Sequence, residues 1–198
     1  MATFGPVSIA ANNDDYDHTS NNFFTDDAEL RVGKFGSGNT AHLGCRWDNV
    51  SIPKGSTVTS AVIDFVSDDG KTVGGGGTCN SKISAVDEDD AARATSDATC
   101  DTDDGNRTSA QVDWDFTIVD ADGTGFQTAD FASVVQEILD RPGWASGQAM
   151  LFHIDDDGSS AGNLQSFAAL NHATLTEPKI TIVYTPPGLV GYWGLRVA

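Results

Sequence analysis

The stretch that most constrains the fold runs from residue 45 to 66, where two runs of β-forming residues flank a turn at 52–55. Pro53 fixes its own φ angle, and Gly55 can adopt the positive φ that a tight turn often requires. After the turn, nearly every residue is β-branched or aromatic, which favours a pleated strand. The two faces of this strand carry Ala61, Ile63 and Phe65 on one side and Val58, Val62 and Val66 on the other. A strand that is apolar on both faces is predicted to lie in the centre of its sheet.

Short runs of β character recur along the chain, separated by Gly-, Asp-, Asn- and Ser-rich turns. The further predicted strands are 29–33, 41–47, 82–86, 111–116, 148–154, 164–168 and 179–184. Polar loops are predicted at 12–17 and 67–80, the second with four consecutive glycines. This pattern is typical of an all-β sandwich or barrel, and 198 residues are enough for one such domain.

One amphipathic helix interrupts the β pattern at about residues 130–141. Its apolar stripe has the spacing i, i+3, i+4, i+7, i+8 and consists of Phe131, Val134, Val135, Ile138 and Leu139. Thr128 or Asp130 can cap its beginning, and Pro142-Gly143 ends it. We expect this helix to close one open end of a sandwich.

The charge balance is strongly acidic, with a net charge of −18 and an isoelectric point of about 4.1. Such a chain repels phosphate backbones and anionic lipid surfaces, so we expect neither nucleic acid nor membrane as a partner. No apolar run approaches the roughly 20 residues needed to span a bilayer. The first residues lack the basic and apolar regions of a secretory signal, and Met1 is present. We therefore expect a protein that is made and used without export, the alternative being that a signal has been removed.

The chain has three cysteines, without the spacing of a metal site. Cys79 and Cys100 flank one long acidic excursion, so a disulfide between them is one alternative. Cys45 lies in a strand and is expected to be a buried thiol. The four scattered histidines have no nucleophile or zinc motif around them, and we predict no enzymatic activity.

Two acidic turns could bind calcium. Asp120, Asp122 and Thr124 place oxygen atoms at alternate positions, as at the start of a calcium loop, and Asp155 and Asp157 repeat the spacing. The first loop is not an EF-hand, because its twelfth position is Phe131 rather than an acid. The alternative for both is a plain Asp-Gly turn. No cofactor is required by the sequence, and calcium is the one ligand that these turns suggest.

Aromatic residues raise a second possibility, a platform on which a sugar could stack. Its members would be Tyr16, Trp47, Trp114 and Trp144. The alternation around Trp47 and Trp114 instead places both in the core.

The last residues, 186–198, differ from the rest because two prolines are followed by an apolar, aromatic tail. An exposed tail of this kind would be a sticky patch, so it should pack on the body of the protein or on a partner. We predict a β-sandwich domain at 1–185 and a docking tail at 186–198. The predicted interface residues are Leu189, Val190, Tyr192, Trp193 and Leu195.

Several of these segments carry motifs in a characteristic order. They are Leu30-x-Val32-Gly33, Arg46-Trp47-Asp48-Asn49-Val50-x-Ile52-Pro53-x-Gly55, Val112-x-Trp114, the run from Val134 to Gly147, and Pro178-x-Ile180-x-Ile182-x-Tyr184. Together they resemble the jelly-roll β-sandwich modules of the DNRLRE type, which occur in bacterial surface proteins and in virion proteins of tailed phages. The resemblance covers about residues 5–185 and implies an adhesive or structural role without catalytic residues.

The resemblance and the acidic composition predict a non-enzymatic structural protein on the virion surface of a tailed phage, decorating the capsid or the tail. Its partners would be further copies of itself, the major capsid protein or a tail protein. The alternative is a carbohydrate-binding or adhesive module of a cell-surface or extracellular protein, for which a host glycan would be the ligand.

Overall fold

The computed structural model describes residues 1–19, 22–96, 98–100 and 105–188. They form an antiparallel β-sandwich with one small amphipathic helix, α1 (Ala132–Asp140), so the predicted fold class is confirmed. The strands are β1 (Ala2–Ser8), β2 (Asp15–Thr19), β3 (Asn22–Phe24), β4 (Glu29–Lys34), β5 (Thr40–Trp47), β6 (Thr57–Val73), β7 (Thr78–Cys79), β8 (Ser81–Ala85), β9 (Val112–Asp113), β10 (Phe116–Thr117), β11 (Gly125–Gln127), β12 (Met150–Asp156), β13 (Asn163–Ala168) and β14 (Lys179–Thr185). No helix in the described ranges has the length and apolar character needed to cross a bilayer.

One curled sheet makes up most of the sandwich. Its strand order is β1-β14-β6-β13-β4-β5-β12-β8-β9, with β11 added to β6 and the β2–β3 hairpin added to β5. β7 and β10 form a separate two-stranded ribbon. The first and last strands of the described chain are therefore neighbours at one edge of the sandwich.

Strand β6 is central, as predicted, and it connects the two halves of the curled sheet. Its first part pairs with β14 from Thr57 to Asp64, and its second part pairs with β13 at Ser67, Asp68 and Val73. The side chains of Ala61, Ile63 and Phe65 are buried in the core, whereas the opposite face is half-buried. The predicted loop at 67–80 is wrong for its first part, because pairing with β13 continues the strand to Val73.

The chain before the helix covers the other edge of β6. β11 pairs with residues 64–66, and the backbone amide and carbonyl of Ile63 then bond to Thr128. The Asp130 carboxylate accepts hydrogen bonds from the amides of Ala61 and Ala132, at 2.9 and 3.0 Å. The cap predicted at Thr128 or Asp130 is wrong, because the N-cap residue is Phe131 and it makes no side-chain capping bond. Thr128 and Asp130 instead attach the chain before α1 to the central strand.

The core is dominated by large side chains that stack between the layers. Phe65, Trp114 and Phe167 lie with ring centroids 4.8–5.9 Å apart, and the buried stripe of α1 packs in the same cluster. The predicted strand at 111–116 is divided into β9 and β10, which pair with different strands. The Trp114 amide still bonds to Ser81, next to the β8–β9 pairing, and its indole is buried in the core, whereas Phe116 pairs with Cys79 of β7.

Residues 12–17, predicted as a polar loop, contain the beginning of β2, and that prediction is wrong. The side chains from Asp15 to His18 are buried, because β2 pairs with β5 and the Phe23 ring packs on Tyr16. Sequence alternation cannot identify a buried strand composed mainly of polar residues. Local hydrophobicity therefore gave no indication that this segment belongs to the sheet.

The three cysteines are buried, and the considered disulfide between Cys79 and Cys100 is not formed. Cys79 lies in the main core, whereas Cys100 belongs to a smaller apolar cluster around Tyr16 and Leu151. The expectation of a buried thiol at Cys45 is confirmed.

We predict that Gly44→Ala destabilises the fold by about 1–3 kcal/mol, because the new methyl group would overlap the Tyr16 ring. The phenol of Tyr16 crosses Gly44 to reach the His153 imidazole at 3.1 Å, so the ring has little freedom to move aside. Urea unfolding would measure the loss.

Gly36→Ala is the matched control, since a Cβ atom at Gly36 meets nothing within 4 Å. Its free energy of unfolding should change by no more than about 0.5 kcal/mol. Equal unfolding free energies for the two variants would contradict the proposed contact.

Candidate metal centre

A cluster of carboxylates forms where β6 leaves its regular pairing. Between the pairs Asp68–Ser166 and Val73–Leu164, residues 69–72 of β6 lie opposite Gln165 alone. These four residues form a bulge, in which the side chain of Asp69 is exposed. Thr72 secures the bulge, because its hydroxyl donates to the Asp68 carbonyl at 2.7 Å and accepts from the Ser166 amide at 3.0 Å.

The loop after β10 closes over the bulge from the other side. The Ser67 amide donates to the carbonyl of Thr124, and the amides of Gly123 and Thr124 donate to Ser67. The Asp122 carboxylate accepts a hydrogen bond from the Asp69 amide at 2.8 Å. These bonds bring residues from two distant parts of the chain into one turn.

The result is a group of three carboxylates, from Asp68, Asp69 and Asp122, with ligand atoms all within 4.8 Å of one another. Asp68 is buried, whereas Asp69 and Asp122 are exposed. One oxygen of Asp68 accepts the Gly70 amide at 2.7 Å, and the other lies 3.7 Å from His172. Carboxylate oxygens are the ligands that calcium prefers, and their spacing here suits one hard cation.

The electrostatics of this cluster favour a cation. The negative charge of Asp122 raises the pKa of Asp69, with further contributions from burial, Asp68 and Asp120. Burial raises the pKa of Glu29, and the charge of Asp68 adds to that effect. A bound divalent ion would relieve this repulsion, and water would complete its shell because the site is open.

The predicted calcium residues are divided by the structure. Asp122 belongs to the cluster, Asp120 lies close enough to raise the pKa of Asp69, and Thr124 contributes backbone bonds to the turn. Asp155 lies at the end of β12, where its carboxylate is 3.4 Å from both His42 and Arg107. Asp157 pairs with Lys82 at 3.0 Å. Basic groups therefore already face the second predicted turn, and calcium binding at either turn stays a prediction.

Asp68 and Asp69 were not among the residues selected from the sequence. The signal that could have identified them is the pair of acids before Gly70, which directly follows the run of strand-forming residues. Asp69-Gly70 repeats the Asp-Gly pair of Asp122-Gly123. Nothing local indicates that Ser67 will bond to Thr124, so the meeting of these two segments is a property of the tertiary fold.

The other predicted sites are the aromatic platform and the interface in the tail. Tyr16, Trp47, Trp114 and Trp144 are all at most 5% exposed, so these rings form part of the protein interior and offer no platform for a sugar. Leu189, Val190, Tyr192, Trp193 and Leu195, predicted as an interface, lie outside the described residues. We find no ligand-sized pocket in the described part of the chain.

Comparison with known proteins adds no assignment. No protein-family model matches the chain, and a search of curated proteins finds no relative.

We predict that calcium at millimolar concentration raises the thermal unfolding temperature and that Asp122→Asn removes most of the increase. At a calcium concentration 100 times its dissociation constant, the stabilisation would be about 2.7 kcal/mol. Asparagine keeps the oxygen that accepts the Asp69 amide but lacks the charge. Scanning calorimetry in calcium and in EDTA would measure both effects.

Asp157→Asn is the control, because it removes a carboxylate of the second predicted turn and leaves the cluster intact. It should keep the full calcium response. An unchanged unfolding temperature in wild type, or equal losses in both variants, would rule out the assignment to Asp68, Asp69 and Asp122.

Proposed function

We propose that the chain is a non-enzymatic structural protein displayed on the surface of a tailed-phage particle, attached through the end of the chain. The observation that carries the proposal is the pairing of β1 with β14, in which Ala2 is opposite Tyr184. Both chain ends thus leave from one edge of the sandwich. The apolar tail begins directly after β14, where Pro187 lies beside Gly55.

The position of both chain ends at one edge of the sandwich fits attachment at that edge alone. A partner that binds the tail there leaves the opposite parts of the sandwich free for display. The partners in this proposal are the major capsid protein or a tail protein, together with further copies of the chain. Aromatic and aliphatic anchors such as Tyr192, Trp193 and Leu195 are the residue types that contribute most to protein interfaces.

The distribution of charge also supports display. Each arginine in the described ranges pairs with aspartate: Arg31 with Asp17 and Asp27, Arg46 and Arg93 with Asp14, Arg107 with Asp155, and Arg141 with Asp87 and Asp89. These pairs hold loops to the sheet, and within the described ranges they leave most other acids without an arginine partner. A surface of one sign keeps displayed copies soluble and separate.

The carbohydrate-binding alternative receives less support. Among described residues, the exposed large apolar side chains are Met1 and Val73, and neither is an aromatic ring on which a sugar could stack. We therefore retain the structural role as the proposed function.

We predict that Trp193→Ser lowers incorporation into virions by about tenfold or more, because it removes a large apolar anchor from the tail. Virions produced from the genome that encodes the chain would be purified, and the bound protein quantified by mass spectrometry. A truncated chain ending at residue 186 should be incorporated even less.

Arg196→Gln is the matched control within the tail and should be incorporated like wild type. All variants should unfold at the wild-type temperature, since none of the changes falls in the sandwich. Equal incorporation of the truncated and full-length chains would contradict attachment through the tail, and absence of the chain from virions would contradict the whole proposal.

A further inference from the structure

Strand β2 brings ionisable side chains into the interior of the sandwich. Asp15 pairs across the sheet with Cys45, and Asp17 pairs with Leu43. Cross-strand partners point to the same face of a sheet. Because Cys45 and Leu43 belong to the main core, the carboxylates of Asp15 and Asp17 point toward that core, and they are 2% and 0% exposed.

Asp15 has little to compensate its charge. Its carboxylate accepts a hydrogen bond from the Leu170 amide at 2.7 Å, and in the described ranges it forms no ion pair. The neighbouring Asp14 differs, because Arg46 and Arg93 approach it at 2.8 and 2.6 Å. Burial acts to raise the pKa of Asp14, yet hydrogen bonds from Arg93 and Arg46 bring it below the usual value.

Asp17 is only partly compensated. One carboxylate oxygen pairs with Arg31 of β4, whose guanidinium also contacts Asp27. The other oxygen, Oδ1, is buried without a hydrogen-bond partner among the described residues. A buried acceptor that lacks a donor costs more when it is charged than when the acid is protonated.

Burial raises the pKa of both aspartates to about 6, against the opposing hydrogen bonds from Leu170 and Arg31. The folded chain therefore holds these protons more tightly than the unfolded chain, in which aspartate titrates near 3.8. The resulting stability is fully present below that value and is lost as the pH rises through about 6. Neutral conditions thus weaken the attachment of β2, and mild acid strengthens it.

We propose that the β2–β3 hairpin is a pH-responsive element, held tightly in mild acid and loosened when Asp15 and Asp17 ionise. The hairpin is suited to this role because it joins the sheet by pairing with β5 as an addition outside the main strand order. It can open locally while the order from β1 to β9 stays intact.

Other titratable groups face β2 from each element packed against it. They are Asp27 and Glu29 near Asp17, Cys45 and Asp14 near Asp15, His42 of β5 beside His18, and His153 of β12 bonded to Tyr16. An aspartate variant separates the effect of Asp15 from that of these groups.

Hydrogen exchange tests the proposal. After correction for intrinsic exchange, amides of 15–19 and 22–24 should be protected at least about tenfold less at about pH 8 than at about pH 5. The interval from about pH 5 to the pKa of about 6 is one unit, which is worth a factor of ten for each aspartate that ionises. Amides of β6 at 60–64 serve as the internal reference. Asp15→Asn, which keeps an acceptor for the Leu170 amide, should raise hairpin protection at pH 8 and reduce the pH dependence.

Asp26→Asn is the matched control, because Asp26 is exposed and close in sequence to the same hairpin. It should behave like wild type. Equal protection of the wild-type hairpin at both pH values, or the same response in both variants, would overturn the proposal. Carbon-13 titration of the wild-type Asp15 carboxyl gives a second measurement without a variant, and a midpoint near 4 would also overturn it.

Discussion

Backbone pairing along both edges of β6 is the constraint on which the rest of the structure depends. A 17-residue strand exposes many amides and carbonyls, and each buried one needs a partner. β14 supplies partners on one edge of the first part of β6, while β11, Thr128 and Asp130 supply them on the other edge. From Ser67 onward the partner of β6 is β13. The position of the helix follows, because residues 125–131 already bond to β6 and leave α1 with its apolar stripe facing the core. After the change of partner at Ser67, Asp68 pairs with Ser166 and Asp69 begins the bulge.

Much of this fold could be predicted from local pattern. β5, β12 and β14 alternate or run apolar over most of their length, and the stripe of α1 has a clear helical period. In these segments the local preference and the tertiary environment agree. β2 could not be predicted, because its polar side chains are satisfied by distant partners such as Arg31 and Leu170. The same limit applies to the candidate metal centre, where Asp122 was predicted from its turn but Asp68 and Asp69 join it only through the bulge.

The polar interior around β2 also explains how so acidic a chain holds its outer segments in place. Arg46 and Arg93 meet at Asp14, and Arg141 joins Asp87 and Asp89 to the end of α1. Breaking an ion pair that is partly buried between a loop and the sheet is costly, because it leaves a partly buried charge without its partner. They therefore fix the position of loops that have few apolar residues. Asp15 is the exception, because no cation among the described residues pairs with its carboxylate.

The carboxylates at the end of β6 and those on β2 differ in burial. Burial decides whether a metal ion or a proton can reduce the repulsion between them. At the end of β6, Asp69 and Asp122 are exposed, so a hydrated divalent ion can approach and keep part of its water shell. On β2, Asp15 and Asp17 are buried, so a hydrated ion cannot approach their carboxylates. A proton can still neutralise them. A proton binds one carboxylate at a time and acts near the pKa of that group, whereas a metal ion needs several carboxylates held together. The exposed cluster should therefore respond to calcium and the buried pair to pH, although both arise from the same excess of aspartate.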